Sequence, residues 1–480
     1  MFQLAVFVLA LLLMFVSERG LENLPGWLLP WATVAVLLAL LIHHRKLARL
    51  NGENVWTGVA PLVLGWILLR YGLAALVVYY WDQYEWEVPN MERRFQVYGG
   101  RQNLHMGCAV ALLGGLGFYS GFRLPVGGLV RMLPDVSWPM DTAKLQRNVV
   151  LYAPVGLVLL LFVIPQLPLS IQFAVSLFAT ITYALIAMVS YWWASSNGAA
   201  RVRWGIATAG ICGFASLLGL LSGQVGQVFV PSLMVVLGYT VARGSPPWRV
   251  LLPAGLAAFF LLCPFLTIYK HSQHSIGVVE NPTVEERIHY TRERLEMTSY
   301  RAGLELAVDR FIARLCLIEF PSVFSIYYPH TYPYAAGHSF LVEFSSLIPR
   351  FLWPDKPQMS PELNRYTATV GMVKEGGNTS AVFDALTEYY VNFGRLGVFL
   401  LAALHALYLK VLYHWLISLD RLAGTALHLM VFLLNFDFFG VGQIIVAHTK
   451  LIPASILILY VLGRRSSYDP LAQGVEYART

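Results

Sequence analysis

The chain reads as an all-α polytopic membrane protein, and three observations lead there. Of its 480 residues, 57% are hydrophobic and only 13% are charged, with a mean hydropathy of +0.59. Soluble domains carry about 25% charged residues. Apolar runs of about 17–25 residues, long enough to cross a bilayer, recur along the chain. Lys and Arg alternate between the intervening loops as the positive-inside rule requires.

About twelve transmembrane helices are expected, near 1–16, 27–43, 57–80, 103–121, 148–166, 169–192, 204–221, 224–242, 250–269, 395–417, 422–440 and 444–463. The first is short. It lacks a basic leader and a small-residue cleavage site, which makes it an uncleaved helix rather than a signal peptide. With both termini inside, the inner segments from Arg45 to Arg479 carry 15 Lys and Arg, against 4 in the short outer loops (Arg19, Arg93, Arg94, Arg101). The net charge of +7 is therefore mostly a topology signal and weak evidence for nucleic-acid binding. The expected organisation is 1–269 for helices one to nine, 270–392 for a large outer loop, 393–463 for helices ten to twelve, and 464–480 for an inner tail. Cys316 alone falls in the large loop, so that loop cannot close an internal disulfide. No CxxC, HExxH or Walker pattern is present, nor an internal repeat.

The loop opens with an expected helix over Thr283–Phe320. Thr283 and Glu286 have capping-box spacing after Pro282, and Pro321 should end the helix. Leu304, Val308, Phe311, Ile312 and Leu315 form an apolar stripe to lie on the bilayer surface or the helix bundle. Arg310 and Arg314 lie one turn apart on another side, as interfacial anchors or anion ligands. Tyr327–Tyr334 is aromatic, Pro-containing and irregular, fit to stack on sugars or to line the interface. Ser360-Pro361-Glu362 starts a short amphipathic helix to about Val370. Lys374–Ser380 is a Gly-containing turn, and Ala381–Asn392 a helix begun by Thr379 or Ser380.

Two kinds of chemistry are available in this loop. Arg350, Lys356, Arg365 and Lys374, with the Gly376-Gly377 turn ahead of a helix, offer cations and amides for a diphosphate. The loop as a whole is not basic: 270–395 holds 12 Lys and Arg against 14 Asp and Glu. Any anion site is thus a local cluster, and a self-paired surface is the alternative. Asp384 and Glu388, four apart on one helix face, are candidates to take a proton from an attacking hydroxyl. Asp384 also suits a capping role at the helix start. Glu388 has apolar neighbours in Phe383, Leu386, Tyr389 and Tyr390. His338 is a further candidate. Within the spans Arg70, Asp437 and Lys450 are charges at depth, which usually mark partners or pathways.

The run Pro349–Pro357 (PRFLWPDKP), then Gly376-Gly377-Asn378-Thr379-Ser380, then Glu388 and Asn392-Phe393-Gly394 with Gly397, resembles the Wzy-type O-antigen and exopolysaccharide repeat-unit polymerases. The match covers roughly Ser345–Gly397. The resemblance implies a fold similar to multi-span lipid-phosphosugar glycosyltransferases, with neither metal nor cofactor. It implies joining of undecaprenyl-diphosphate-linked oligosaccharides at the periplasmic face of the bacterial inner membrane, beside a flippase and a chain-length regulator. Arg350 and Lys356 match the family run position by position. The resemblance implies catalysis by outer-loop arginines, here Arg350, while acid–base chemistry adds Glu388 or Asp384 as the base. The candidate substrate-binding set is Arg350 and Lys356 from the resemblance, with Arg365, Arg310, Arg314, Lys450, Thr379 and His338 read from their own chemistry. One physical argument points the same way: nucleotide sugars are cytoplasmic, so an outer glycosyl-transfer site needs a membrane-carried donor. The competing expectations are an O-antigen ligase, for which His338 would serve; a lipid-linked oligosaccharide flippase, favoured by Arg70; and a non-catalytic assembly partner.

Overall fold

The computed structural model describes residues 2–50, 55–56, 58–81, 103–135, 140–167, 179–221, 225–268, 284–348, 352–357, 359–372, 384–434 and 441–464. Among the described residues the chain is helical throughout, with one isolated bridge between Met140 and Arg464. Seven helices are long and apolar enough to cross a membrane: Leu28–Leu50, Val59–Tyr80, Leu104–Arg123, Gly198–Leu220, Trp248–Ile268, Ala385–Ser418 and Gly442–Gly463. Phe2–Phe15 and Val228–Arg243 are shorter apolar helices. The expected all-helical, membrane-spanning class agrees with this; twelve crossings is a finer statement than these helices make.

The chain forms two compact units. One comprises Met1–Met132, Gly244–Tyr413 and Phe432–His448; the other comprises Leu133–Arg243, His414–Val431 and Thr449–Thr480.

At the centre of the first unit lies Leu104–Arg123, buried on nearly every face. Its sequence explains why. Gly117 and Gly121 form a G-x-x-x-G pair, and a Cβ on either would collide with the carbonyl of Phe399 or of Ala403. Small residues at this spacing let two helix backbones approach closely where lipid offers no hydrophobic drive to pack them. Ala402 and Ala406 supply the small partners on the facing helix.

Three contacts show how deep the expected outer loop reaches. Val59–Tyr80 contains a π-helical stretch, Leu68–Leu73, and the Arg70 carbonyl there accepts a hydrogen bond from Leu317 N at 3.1 Å. One residue on, the Tyr71 hydroxyl donates to Asp384. Leu386 packs on Gly114, whose Cβ would meet it at 2.5 Å. These positions lie nine or ten residues from Tyr80 and Leu104, the ends of their helices. At ~1.5 Å per residue that is ~15 Å, about half of a ~30 Å hydrocarbon core. The loop therefore sends two arms, around Leu317 and around Asp384, into the bundle. Irregular backbone is tolerated at such depth only when protein surrounds it. Cys316, Leu317 and Ile318 are accordingly buried.

Several local expectations change. The single helix Thr283–Phe320 is two helices, Val284–Met297 and Tyr300–Leu315, because the Ser299 hydroxyl caps the second by accepting from Ala302 N at 3.2 Å. Thr283 lies outside the described residues. Pro321 does not end a helix. It sits in the first turn of Glu319–Tyr327, where its missing N–H costs nothing. The short helix near Pro361 spans Met359–Thr369. The helix expected from Ala381 begins at Ala385 and continues to Leu419, across the 392/393 boundary. It breaks at Phe393 (φ −141°, ψ 16°) and Gly394 (φ 63°, ψ −159°). Gly394 takes a left-handed φ, and a Cβ there would stand 2.7 Å from the Tyr334 hydroxyl. The break separates the inserted arm Ala385–Asn392 from the span that follows.

The second unit packs Thr142–Val158, Thr182–Ser195, Gly198–Leu221 and Val225–Arg243 together. Gly238 lets its helix meet the next, since a Cβ there would collide with the Ala187 carbonyl. Asp141 caps Thr142–Val158 by accepting from Lys144 N. Lys144 Nζ and Asn148 Nδ2 donate to the carbonyls of Arg464 and Leu462.

Candidate acid–base site

The first unit assembles a buried carboxyl pair. Helix His338–Ser345 carries Ser339 and Glu343, four apart and on one face. The arm Ala385–Asn392 carries Glu388 and Asn392 at the same spacing. All four side chains are essentially out of contact with solvent. Ser339 Oγ donates to Glu388 Oε1 at 2.6 Å. Asn392 Nδ2 donates to Ser339 Oγ and to the Glu388 carbonyl, both at 2.8 Å. Gly337 N donates to Asn392 Oδ1 at 2.8 Å, which fixes the amide and through it the serine.

Glu343 and Glu388 lie within hydrogen-bond reach of each other. Oε2 of each has no donor among the described residues. Two buried carboxylates cannot both stay charged side by side, and a single shared proton satisfies both oxygens. Burial, and next the Glu388 charge, push Glu343 up to about 10, against the opposing pull of the Gln443 amide. The pair therefore retains a proton at neutral pH. Gly442 lets the start of helix Val441–Gly463 close on this pair, since a Cβ there would collide with Glu343 Oε2. Tyr366 feels the Glu388 charge, and its hydroxyl meets His338 Nδ1 at 3.1 Å.

The other expected site residues are placed differently. Asp384 caps a helix. Its carboxylate accepts from Leu386 N (3.0 Å), Thr387 N (3.2 Å), Thr387 Oγ1 (2.6 Å) and the Tyr71 hydroxyl. Free first-turn amides claim the nearest carboxylate, and four donors occupy it. Lys356, expected to hold a diphosphate, caps a helix end instead. Its Nζ donates to the carbonyls of Ile348 (2.6 Å), Ser345 and Ser346 (both 3.4 Å), at the C-terminus of the helix that carries Glu343. Arg365 is exposed and pairs with Glu362 at 3.1 Å. Lys450 belongs to the second unit. Arg350, Thr379, Lys374 and Asp437 lie outside the described residues, as do the side chains of Arg310 and Arg314. Glu388 is thus brought together with Glu343, and through Tyr366 with His338.

Glu343, Ser339, Asn392, Tyr366 and Tyr71 were missed as functional side chains by sequence reasoning. Glu343 carried a signal: it is a lone carboxylate in the otherwise apolar Phe340–Phe344, and such a charge needs a partner.

Residues 65–416 match the model of a family described as a domain of unknown function, DUF8712. The chain belongs to the DUF8712 family. No curated protein and no solved structure matches the chain. In this DUF8712 protein the matched stretch contains the central helix Leu104–Arg123, both inserted arms and the pair Glu343–Glu388. Gly442 and Gln443, which close on the pair, lie beyond it.

Proposed function

We propose that this DUF8712 protein is a membrane-embedded glycosyltransferase that polymerises oligosaccharide repeat units carried on undecaprenyl diphosphate. It works at the periplasmic face of a bacterial inner membrane, with both termini inside. One observation carries the reading: two buried carboxyl groups, Glu343 and Glu388, within hydrogen-bond reach of each other in the unit that holds the inserted arm Ala385–Asn392. The residue pattern Pro349–Gly397, which resembles the repeat-unit polymerases, supports the same reaction.

In that reaction the acceptor hydroxyl attacks the anomeric carbon of the donor chain. The bond from that carbon to the lipid diphosphate breaks, and the diphosphate leaves with the electron pair. The hydroxyl proton passes to Glu388. Glu343 keeps its own proton and orients the Glu388 carboxylate, while Ser339 and Asn392 hold its other oxygen. One member of the pair is an acid and the other a base, as this environment demands. Arg350 remains the proposed cation for the departing diphosphate, where a single donor is worth about 10²–10³-fold in rate.

Reconstitution with purified lipid-linked repeat units tests this. A ladder of longer lipid-linked glycans, abolished by Glu388→Gln in a protein of unchanged melting temperature, is the expected result. Transfer of the glycan only to a lipid A core would overturn it in favour of a ligase. A second reading, a flippase, draws on Arg70, which is buried near the middle of Val59–Tyr80. Movement of lipid-linked units across the bilayer without bond formation would favour it.

A further inference from the structure

The first unit holds a recess away from the carboxyl pair. A cavity of about 280 Å³ opens between the helix Glu18–Glu22, the start of Leu28–Leu50, the end of Val59–Tyr80 and the start of Leu104–Arg123. Its walls mix polar surface with apolar surface, the latter from Leu29, Val78 and Leu104 among others. Three polar side chains reach it: Glu22, Tyr79 and His105. Glu22 Oε1 and His105 Nε2 face each other at 3.7 Å, too far for a hydrogen bond. His105 Nε2 is buried and has no hydrogen-bond partner among the described residues. A buried ring nitrogen left this way costs free energy that a ligand group recovers.

The lining decides which ligand fits. Among the described residues, Lys and Arg are absent from it and a carboxylate is present, so a phosphate or other anion is repelled. A cation finds a single carboxylate, Glu22, among the lining side chains. A neutral ring with an apolar face and adjacent hydroxyls matches every wall. One hydroxyl donates to Glu22 while its neighbour meets His105 Nε2, bridging the gap, and the carbon face lies on Tyr79 and the aliphatic side chains. The volume is at the low end of small-molecule sites, which start near ~300 Å³. That admits one sugar ring.

We infer that this cavity is a saccharide subsite, taking one uncharged sugar unit of the glycan by a vicinal diol bridging Glu22 and His105. The inference rests on the proposed glycan polymerase only for its choice of glycan; the binding chemistry is local. On that reading the site grips a sugar while the lipid diphosphate stays elsewhere.

The test is saturation-transfer NMR on the purified full chain in detergent, with glucose, N-acetylglucosamine and rhamnose as probes and inorganic phosphate as competitor. Two variants report on the cavity. Glu22→Gln keeps the shape at a side chain that is 55% exposed, so folding is little affected. Gly26→Leu fills the space, since a Cβ at Gly26 meets only Tyr79 Cε2, at an ordinary 3.4 Å. At least one neutral sugar should bind, about 10-fold or more weaker in Glu22→Gln, as expected on losing a hydrogen bond to a charged group. It should not bind Gly26→Leu. Phosphate should not compete. Absence of sugar binding, equal binding in both variants, or competition by phosphate overturns the subsite. A glycan ladder without cavity-dependent binding removes the subsite and leaves the polymerase. Binding without any ladder does the reverse.

Discussion

Replacing Glu343 by Gln should reduce the pH dependence of stability. In the folded chain the Glu343 carboxyl is raised from 4.5 to about 10 by burial and by Glu388. The unfolded chain releases the same proton near its ordinary value. The stabilisation from this proton is therefore complete below pH ~4.5 and is lost progressively as pH rises toward 10. One proton held only by the folded state gives a slope of ~1.4 kcal/mol per pH unit. Between pH 6 and 8 the wild type should lose roughly 3 kcal/mol by that slope. Domains of 150–250 residues shift by ~2–4 °C per kcal/mol, and longer chains by less, so a fall of about 5 °C is expected. The substituted amide carries its own N–H toward Glu388 and needs no shared proton. Thermal unfolding of the detergent-solubilised chain, followed by tryptophan fluorescence at pH 6, 7 and 8, reads the effect. Parallel wild-type and Glu343→Gln slopes would refute a shared proton at this pair.

Four further outcomes follow from the geometry. Gly394→Ala forces a Cβ against Tyr334 in a left-handed conformation and should cost about 1–3 kcal/mol, read as a lower melting temperature. Gly210→Ala, which meets open space within its helix, should cost nothing. Tyr71→Phe takes one of four donors from the buried Asp384 carboxylate and should destabilise by about 1–3 kcal/mol in the same assay. Lys356→Met should lower the melting temperature because the carbonyls of Ile348, Ser345 and Ser346 lose the ammonium, although Ser345 keeps Ile348 N as a donor. Loss of polymer formation with an unchanged melting temperature would instead return Lys356 to the diphosphate.

The helical, membrane-spanning class was legible because every long apolar run dictates a helix in a bilayer. The break at Phe393–Gly394 falls beside the expected loop boundary, where a Gly precedes an apolar run. Glu388 stood out through its apolar neighbours. Its partner Glu343 lies 45 positions away, and only tertiary folding joins them. Asp384 and Lys356 both take helix-end contacts for one shared reason. Helix ends present unpaired backbone groups, and a nearby charged side chain satisfies them before any ligand does. Ser299 was overlooked because its neighbours on both sides favour helix, so the cap looked like one more helical residue. The depth of the two arms had no signature at all, since hydropathy measures composition and not where a polar segment is sheltered.

Burial at Cys316 carries a practical consequence for topology mapping. This thiol sits in a stretch that hydropathy alone assigns to the aqueous side, yet its side chain is 1% exposed and its neighbour Leu317 is pinned to the span Val59–Tyr80. A membrane-impermeant maleimide applied to intact vesicles should leave it unmodified from either side. Labelling patterns around Leu317 and Asp384 would then report insertion depth and not sidedness, and a map drawn from them would count two crossings that the backbone never makes.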